Sequence, residues 1–428
     1  MFRWRRHRPQ RRKHECSAGP PQTSSRRSPR GEATSVTAKR VLLYVQHLLG
    51  IGHLKRAATL ADAMTRIGLE VTLVSGGPEV PGITINAAHV VQLPPASAAD
   101  PWFKAIVDAD GKPVDEAWKQ RRRELLLDVW RVAEPHAVVV ELFPFGRRQM
   151  RFELLPLLEA AHNAKRRPVI VSSVRDILGG GQKDTARQDK MLDLFESYFD
   201  HLLVHGDPVL IPFDRTFVHA ARIAGKLHYT GYVVDRKPLA GTFGGMEVGK
   251  DEVIVSVGGG AVGRQLLEAA MQARPLSVLA CHTWRLLAGS NVTDADLADL
   301  SAQADASGGA GVTVERNRRD FPELLANCRL SVSQGGYNTV MDILQAGAPA
   351  VVVPFAGGAE MEQSLRARLL AEQGRITMLE EAHLSPGALA NAIDSAARDA
   401  PVAGGVLRLD GARESAVLLA RWTSELAW

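Results

Sequence analysis

Two hydrophobic periods take turns along this chain. "RVLLYVQ" (40–46) is an unbroken apolar run of strand length. After a loop bearing two glycines, Leu54, Ala57, Ala58, Ala61 and Met64 recur at helical spacing until Gly68. "EVTLVS" (70–75) then returns to the strand pattern, which completes a strand–helix–strand unit expected to be right-handed. The same reading predicts strands at "AVVVELF" (137–143), "PVIVSS" (168–173) and "HLLVHG" (201–206), and helices in "RRQMRFELLPLLEAA" and "RQDKMLDLFESYF". Residues 94–120 break the rhythm as a long, proline-bearing excursion, a length that in compact domains usually marks function or disorder.

A Gly-rich stretch with Pro238 spans 228–251, and the alternation then restarts. "EVIVSVGGGAVGRQLLEAAM" predicts strand, loop and helix, and "TWRLLAG", "VTVERN", "CRLSVSQ" and "PAVVVPF" supply further strands. The pattern therefore predicts an α/β protein of two Rossmann-like domains, each a doubly wound parallel sheet, facing each other across a cleft. The first is expected over 39–232 and the second over 233–411. A last helix over 412–428 is expected to cross back onto the first. Ligands of such sheets sit beyond the carboxyl ends of the strands, so both Gly loops should face the cleft.

Composition changes this picture at one end only. The chain of 428 residues carries a net charge of +5. Residues 1–40 hold 12 Lys/Arg and 2 Asp/Glu, a net +10, which leaves the remainder at −5 out of the totals of 52 and 47. Residues 1–38 are thus expected to be a disordered basic tail. Such a tail can contact nucleic acid or an anionic membrane surface, but a solvated extension is the simpler reading, and no nucleic-acid partner is expected. Three cysteines without metal spacing suggest a reducing cytoplasm. No apolar run approaches the roughly 18 residues of a membrane-spanning helix.

Two loops carry candidate chemistry. In "LLGIGHLKRA", Gly50 and Gly52 allow close backbone approach and His53 stands at a helix start, where the positive end of the helix should keep its ring neutral and basic. Arg56, one turn on, can steer an anionic substrate. A plain helix cap accounts for His53 equally simply. In "SVSQGGYNTVMDILQAGAPAVVVPF", Gly335 and Gly336 bring N–H groups to a helix start, and Asp342 lies one turn beyond Asn338, where a carboxylate can accept from both hydroxyls of a ribose. Gly258, Gly259 and Gly260 offer N–H groups to a diphosphate. Two Asp-x-Asp pairs, Asp108–Asp110 and Asp294–Asp296, read as turn and cap rather than as metal ligands, so no metal and no resident cofactor are expected. Arg175 and Asp176, after a strand, face the acceptor cleft or form a local ion pair; the residues do not choose. Arg147, Arg148 and Arg151, beside aromatics, fit a lipid-docking edge or a solvated basic one.

"GGYNTVMDILQAGAPAVVVPF" with "EMEQSLRARLL" resembles the donor half of GT-B glycosyltransferases of family 28, the MurG-like enzymes, and "GIGHLKRA" resembles their acceptor-side loop. "ELFPFGRRQMRFELLPLLEA" and "SVRDIL" resemble a further bacterial branch of predicted glycosyltransferases. The resemblance, from about residue 40 to about 400, implies an inverting, metal-independent transferase that uses a nucleotide-sugar, UDP-linked, as co-substrate. The acceptor is lipid-linked or a small molecule, and the setting is the cytoplasm with peripheral contact at the inner membrane face. It places Asp342 at the ribose, where relatives usually have Glu. Tyr337, Asn338 and Thr339 fall at the donor sugar and phosphates, and Glu362 and Gln363 at a Gln-Gln pair that reads sugar hydroxyls. The Gly258–Gly260 loop is at the phosphates, and His53 is near the reacting hydroxyl. "GxGHxxR" also resembles the start of nucleotide-sugar hydrolases of the same fold, and a non-catalytic sugar-nucleotide binder is the third reading.

Overall fold

The computed structural model describes residues 38–48, 51–99, 105–179, 184–234, 248–257, 263–289, 292–306, 311–318, 320–355, 362–399 and 408–426. The expectations for the tail, for Gly50 and for Gly258–Gly260 lie outside these residues.

The N-terminal part begins with β1 (Arg40–Val45), α1 (Gly52–Arg66), β2 (Glu70–Ser75) and β3 (His89–Gln92). A small antiparallel ribbon of β4 (Ser97–Ala98) and β5 (Ile106–Val107) precedes α2 (Glu116–Ala133). Then come β6 (Ala137–Glu141), α3 (Arg151–His162), β7 (Val169–Arg175), α4 (Thr185–Tyr198), β8 (His201–His205) and β9 (Leu227–Tyr229). The excursion is therefore shorter than the sequence suggests, because α2 begins inside it at Glu116. Asp115 caps that helix by accepting from Trp118 N–H at 2.7 Å.

The C-terminal part runs β10 (Val253–Ser256), α5 (Arg264–Ala273), β11 (Trp284–Ala288), α6 (Asp294–Ala306), β12 (Val312–Arg316), α7 (Phe321–Asn327) and β13 (Leu330–Ser333). It continues with α8 (Tyr337–Ala346), β14 (Ala350–Val352), α9 (Glu362–Glu372), β15 (Thr377–Met378), α10 (Pro386–Arg398) and α11 (Gly411–Ser424).

The sheets order as β3-β2-β1-β6-β7-β8-β9 and β12-β11-β10-β13-β14-β15, and every neighbouring pair within them is parallel. Both have the doubly wound order, which reverses at β1/β6 and at β10/β13. Central strands are buried on both faces: Leu42, Leu43, Tyr44 and Val45 are all fully buried, as are Val138, Val139 and Val140. That burial is why they read as unbroken apolar runs rather than as alternations.

α11 lies on α1. Ala416, Leu419 and Trp422 share one apolar cluster with Leu54, Leu60 and Met64, and the Trp422 ring stacks on His201 at 3.8 Å. The chain's end thus returns to the first sheet. Among the described residues no helix is long and apolar enough to cross a membrane.

Candidate functional site

The loop after β1 opens α1 without a side-chain cap, and His53, second in the helix, does not serve as one. Its Nδ1 instead lies 2.9 Å from both carboxylate oxygens of Glu141, the last residue of β6. β1 and β6 are neighbours at the switch point, so strand order itself brings the two residues together across 88 positions of sequence. Glu141 is fully buried, and Arg56 Nη2 donates to its Oε1 from one turn further along α1. Two donors on one buried carboxylate make the charge tolerable there.

Burial lowers the His53 pKa to about 4, against the upward pull of Glu141 and with Arg147 and Arg56 pressing the same way as burial. The ring is therefore neutral at pH 7. Burial is the first cause of that neutrality. For Glu141, burial works upward, but His53, Arg56 and Arg147 outweigh it and hold the carboxyl well below the usual range. An ionised Glu141 accepts, so Nδ1 carries the ring proton. Nε2 makes no hydrogen bond among the described residues and is left as the proton acceptor.

Arg175 and Asp176 resolve in a third way, because their ion pairs are not local but join the two domains. Arg175 Nη1 donates to Glu362 Oε1 at 3.1 Å and Oε2 at 3.3 Å. Arg366 Nη1 donates to the same Glu362 at 3.0 Å, and its Nη2 to Asp176 Oδ1 at 2.7 Å. Arg366 and Asp176 are fully buried. Both guanidiniums lie over the Tyr337 ring, Arg175 at 4.7 Å and Arg366 at 4.9 Å. Burial raises the Glu362 pKa less than Arg175 and Arg366 lower it, and the result is about 2. Gly52 packs directly on this group, since a Cβ there would stand 2.8 Å from Arg175 Nη2. A larger residue at Gly52 would displace the guanidinium from the cleft.

In the second domain, Gly335 has φ +73°, a conformation that favours glycine, and a Cβ would meet Val352 at 2.5 Å. Gly336 caps α8, whose first turn carries Tyr337, Asn338 and Thr339. Asn338 is exposed and Thr339 half-buried. Burial raises the Asp342 pKa to about 6, opposed by Lys55 of α1. Gln363 Oε1 accepts from Phe355 N–H at 3.3 Å, which ties it to the loop after β14. Asp108 Oδ1 accepts from the N–H groups of Asp110 and Lys112, as a turn residue does. Asp294 pairs with Arg316, and Asp296 with Thr293 and Arg264.

Sequence reasoning missed Glu141 and Arg366 as members of the site. An acid closing an otherwise apolar strand, "AVVVE", at a switch point was the available signal for the first. For the second there was none beyond its place four residues after Glu362.

Comparison with known proteins adds similarities of sequence and of fold. Residues 254–403 match the description "Glycosyltransferase family 28 C-terminal domain". The chain is 30% identical over 171 residues to the UDP-N-acetylglucosamine–N-acetylmuramyl-(pentapeptide) pyrophosphoryl-undecaprenol N-acetylglucosamine transferase of Rhodopseudomonas palustris (strain BisA53), covering 38% of this chain and 45% of that protein. It is 31% identical over 115 residues to the same-named protein of Rhodospirillum centenum, covering 26% and 30%. The chain thus spans less than half the length of these curated relatives. Among solved structures, Acinetobacter baumannii MurG aligns over 90% of this chain and 99% of its own with TM-score 0.59 at 15% identity. The glycotransferase of kitacinnamycin aligns over the same shares with TM-score 0.56 at 17%. Over residues 254–403 the chain is similar to the C-terminal domain of glycosyltransferase family 28, and its fold is the two-domain GT-B fold.

Proposed function

We propose that this protein is an inverting glycosyltransferase that moves a sugar from a nucleotide-sugar to a hydroxyl acceptor. The observation that carries the reading is the neutral His53, fixed through Nδ1 on the buried Glu141 with Nε2 unused. In the reaction, Nε2 takes the proton of the acceptor hydroxyl while that oxygen attacks the anomeric carbon. The bond from that carbon to the diphosphate oxygen breaks on the opposite face, which inverts the centre. Glu141 stabilises the imidazolium that forms. The leaving diphosphate is met by N–H groups at the start of α8, an arrangement that supplies charge stabilisation without a metal ion. The relatives' printed names support a UDP-sugar donor and a lipid-linked acceptor, hence a cytoplasmic enzyme in peripheral contact with the membrane.

The test is nucleotide release from a panel of UDP-, dTDP- and GDP-sugars, with and without bacterial lipid extract and with EDTA present, for the wild type and for His53→Ala. Release only with extract, surviving EDTA, is the expected result. Release without any acceptor, abolished in His53→Ala, would convert the reading to a hydrolase. Donor binding with turnover absent under every condition would leave a binding protein.

In this reading Asp342 accepts from the ribose hydroxyls. Asp342→Ala is then expected to weaken UDP binding by about 1.5–3 kcal/mol, as for a hydrogen bond to a charged group. Those bonds favour the carboxylate, and its pKa is about 6. UDP affinity should therefore fall as the pH drops through about 6, with proton release on binding near that pH. Calorimetry in two buffers at pH 7.5 and 5.5 reads both effects. Equal affinity in Asp342→Ala removes the residue from the ribose.

A further inference from the structure

We propose that Arg147, together with Arg56, binds an anionic group of the acceptor, a phosphate or a carboxylate, beside His53. The inference rests on the transferase reading only in assigning the group to the acceptor.

Among the described residues, charge matching across the cleft leaves one cation over. Arg175 is matched by Glu362 and Arg366 by Asp176. Around His53, Arg56 and Arg147 share the single carboxylate of Glu141, and His53 itself is neutral. Arg147 bonds through Nε to Gln46 O at 2.7 Å, a neutral partner. Burial lowers its pKa, and Arg56 and Arg175 add to that against the pull of Glu141 and Tyr44. Arg56 is 4% exposed, yet its Nε and Nη1 are buried without a hydrogen-bond partner. Among the described residues, two buried Arg56 donors without an acceptor and one net positive charge thus converge next to the base.

The backbone makes the same case independently. Immediately after Glu141 the chain turns at Leu142, whose φ is +67°, and Gly146 N–H bonds back to Leu142 O at 2.8 Å. Arg147 follows at φ +57°, in the left-handed region that only glycine enters without penalty. A glycine would suit this position better than an arginine if shape were the only requirement. An unmatched cation in a left-handed conformation works against folding twice over, and such sites are where function resides. An anion held by two guanidiniums offsets both terms. Arg147, Arg56 and Gln46 all belong to the N-terminal domain, across the cleft from the start of α8 where the donor phosphates are assigned. The anion is therefore the acceptor's, and it sits where it presents a neighbouring hydroxyl to Nε2.

The test uses the full chain, with inorganic phosphate as the probe, titrated by calorimetry with and without saturating UDP; acetate is run in the same way. The wild type is expected to bind phosphate, acetate or both with UDP in place, and the better probe identifies a phosphate- or carboxylate-bearing acceptor. Arg147→Gly is expected to weaken that binding about tenfold or more, to leave UDP affinity unchanged, and to keep or raise the thermal midpoint. Displacement of phosphate by UDP would assign the arginines to the donor diphosphate and overturn the proposal. Equal binding by the variant, binding of neither probe, or a midpoint lowered by several degrees would overturn it as well. Failure of UDP itself to bind would count against the donor reading, while the titrations without UDP still report on Arg147.

Discussion

His53→Ala is expected to lower turnover by about 10²–10⁴-fold while leaving donor affinity intact. The asymmetry follows from where the residue stands. His53 projects from α1 of the first domain, whereas Asp342 and the start of α8 belong to the second. On the proposed function, removing the imidazole deletes the proton acceptor without touching the nucleotide's contacts. Single-turnover kinetics with saturating donor, paired with UDP calorimetry, separates the two quantities, and undiminished turnover would remove His53 from the chemistry. The pH profile adds a sharper signature. With a pKa of about 4, the ring is in its base form at every pH above that value. The acid limb of kcat/KM should accordingly fall near pH 4, well below the 6.5 of an unperturbed histidine. Stability has a different window. Between pH 6.5 and about 4 the unfolded state binds the His53 proton and the folded state does not, so this group erodes stability as the pH falls through that range. Turnover should outlast part of that loss.

Most of the fold was legible in the sequence because its central strands are buried on both faces and its helices keep an apolar stripe. The elements that escaped are those without such a signature. β3, "HVVQ", alternates half-buried and exposed positions at a sheet edge, and β9 is three half-buried residues. α2 escaped for a different reason: one of its three buried positions is a charge, Arg122. That side chain is fully buried among Glu153, Gln46 and the carbonyls of Gly76 and Pro94. Its partners lie 28 to 76 residues away, and no local window can show that an arginine will be satisfied inside. The site divides along the same line. His53 sits in a recognisable loop, but Glu141 is brought to it only by the pairing of β1 with β6. Glu362 falls in a stretch picked out by its resemblance to a family motif, but Arg175, which neutralises it, comes from 187 residues earlier and the other domain. Motifs encode one partner of each pair, and topology supplies the other.

Glu141 is where topology has the largest consequence, and two substitutions separate its two roles. Glu141→Ala leaves Arg56 as a buried guanidinium whose carboxylate is gone, which is expected to cost about 3–5 kcal/mol of stability; chemical denaturation measures it. Glu141→Gln keeps the shape and should cost less, yet it is expected to lower turnover by about 10²–10⁴-fold with UDP affinity unchanged. The reason is a proton on the wrong nitrogen. Arg56 has only donors, so the glutamine carbonyl must turn to it and the amide N–H₂ then faces His53 Nδ1. That nitrogen becomes the acceptor, the ring proton moves to Nε2, and the nitrogen that should take the proton from the acceptor hydroxyl already holds one. Nitrogen-15 shifts of the imidazole would show the exchanged tautomer directly. The acid limb should also move below its wild-type position, because the carboxylate that raises the His53 pKa is no longer there. A Glu141→Gln protein with full turnover would mean that the carboxylate only anchors Arg56. Lost turnover with an unchanged tautomer would mean that it serves to stabilise the imidazolium and leaves the ring's orientation to packing.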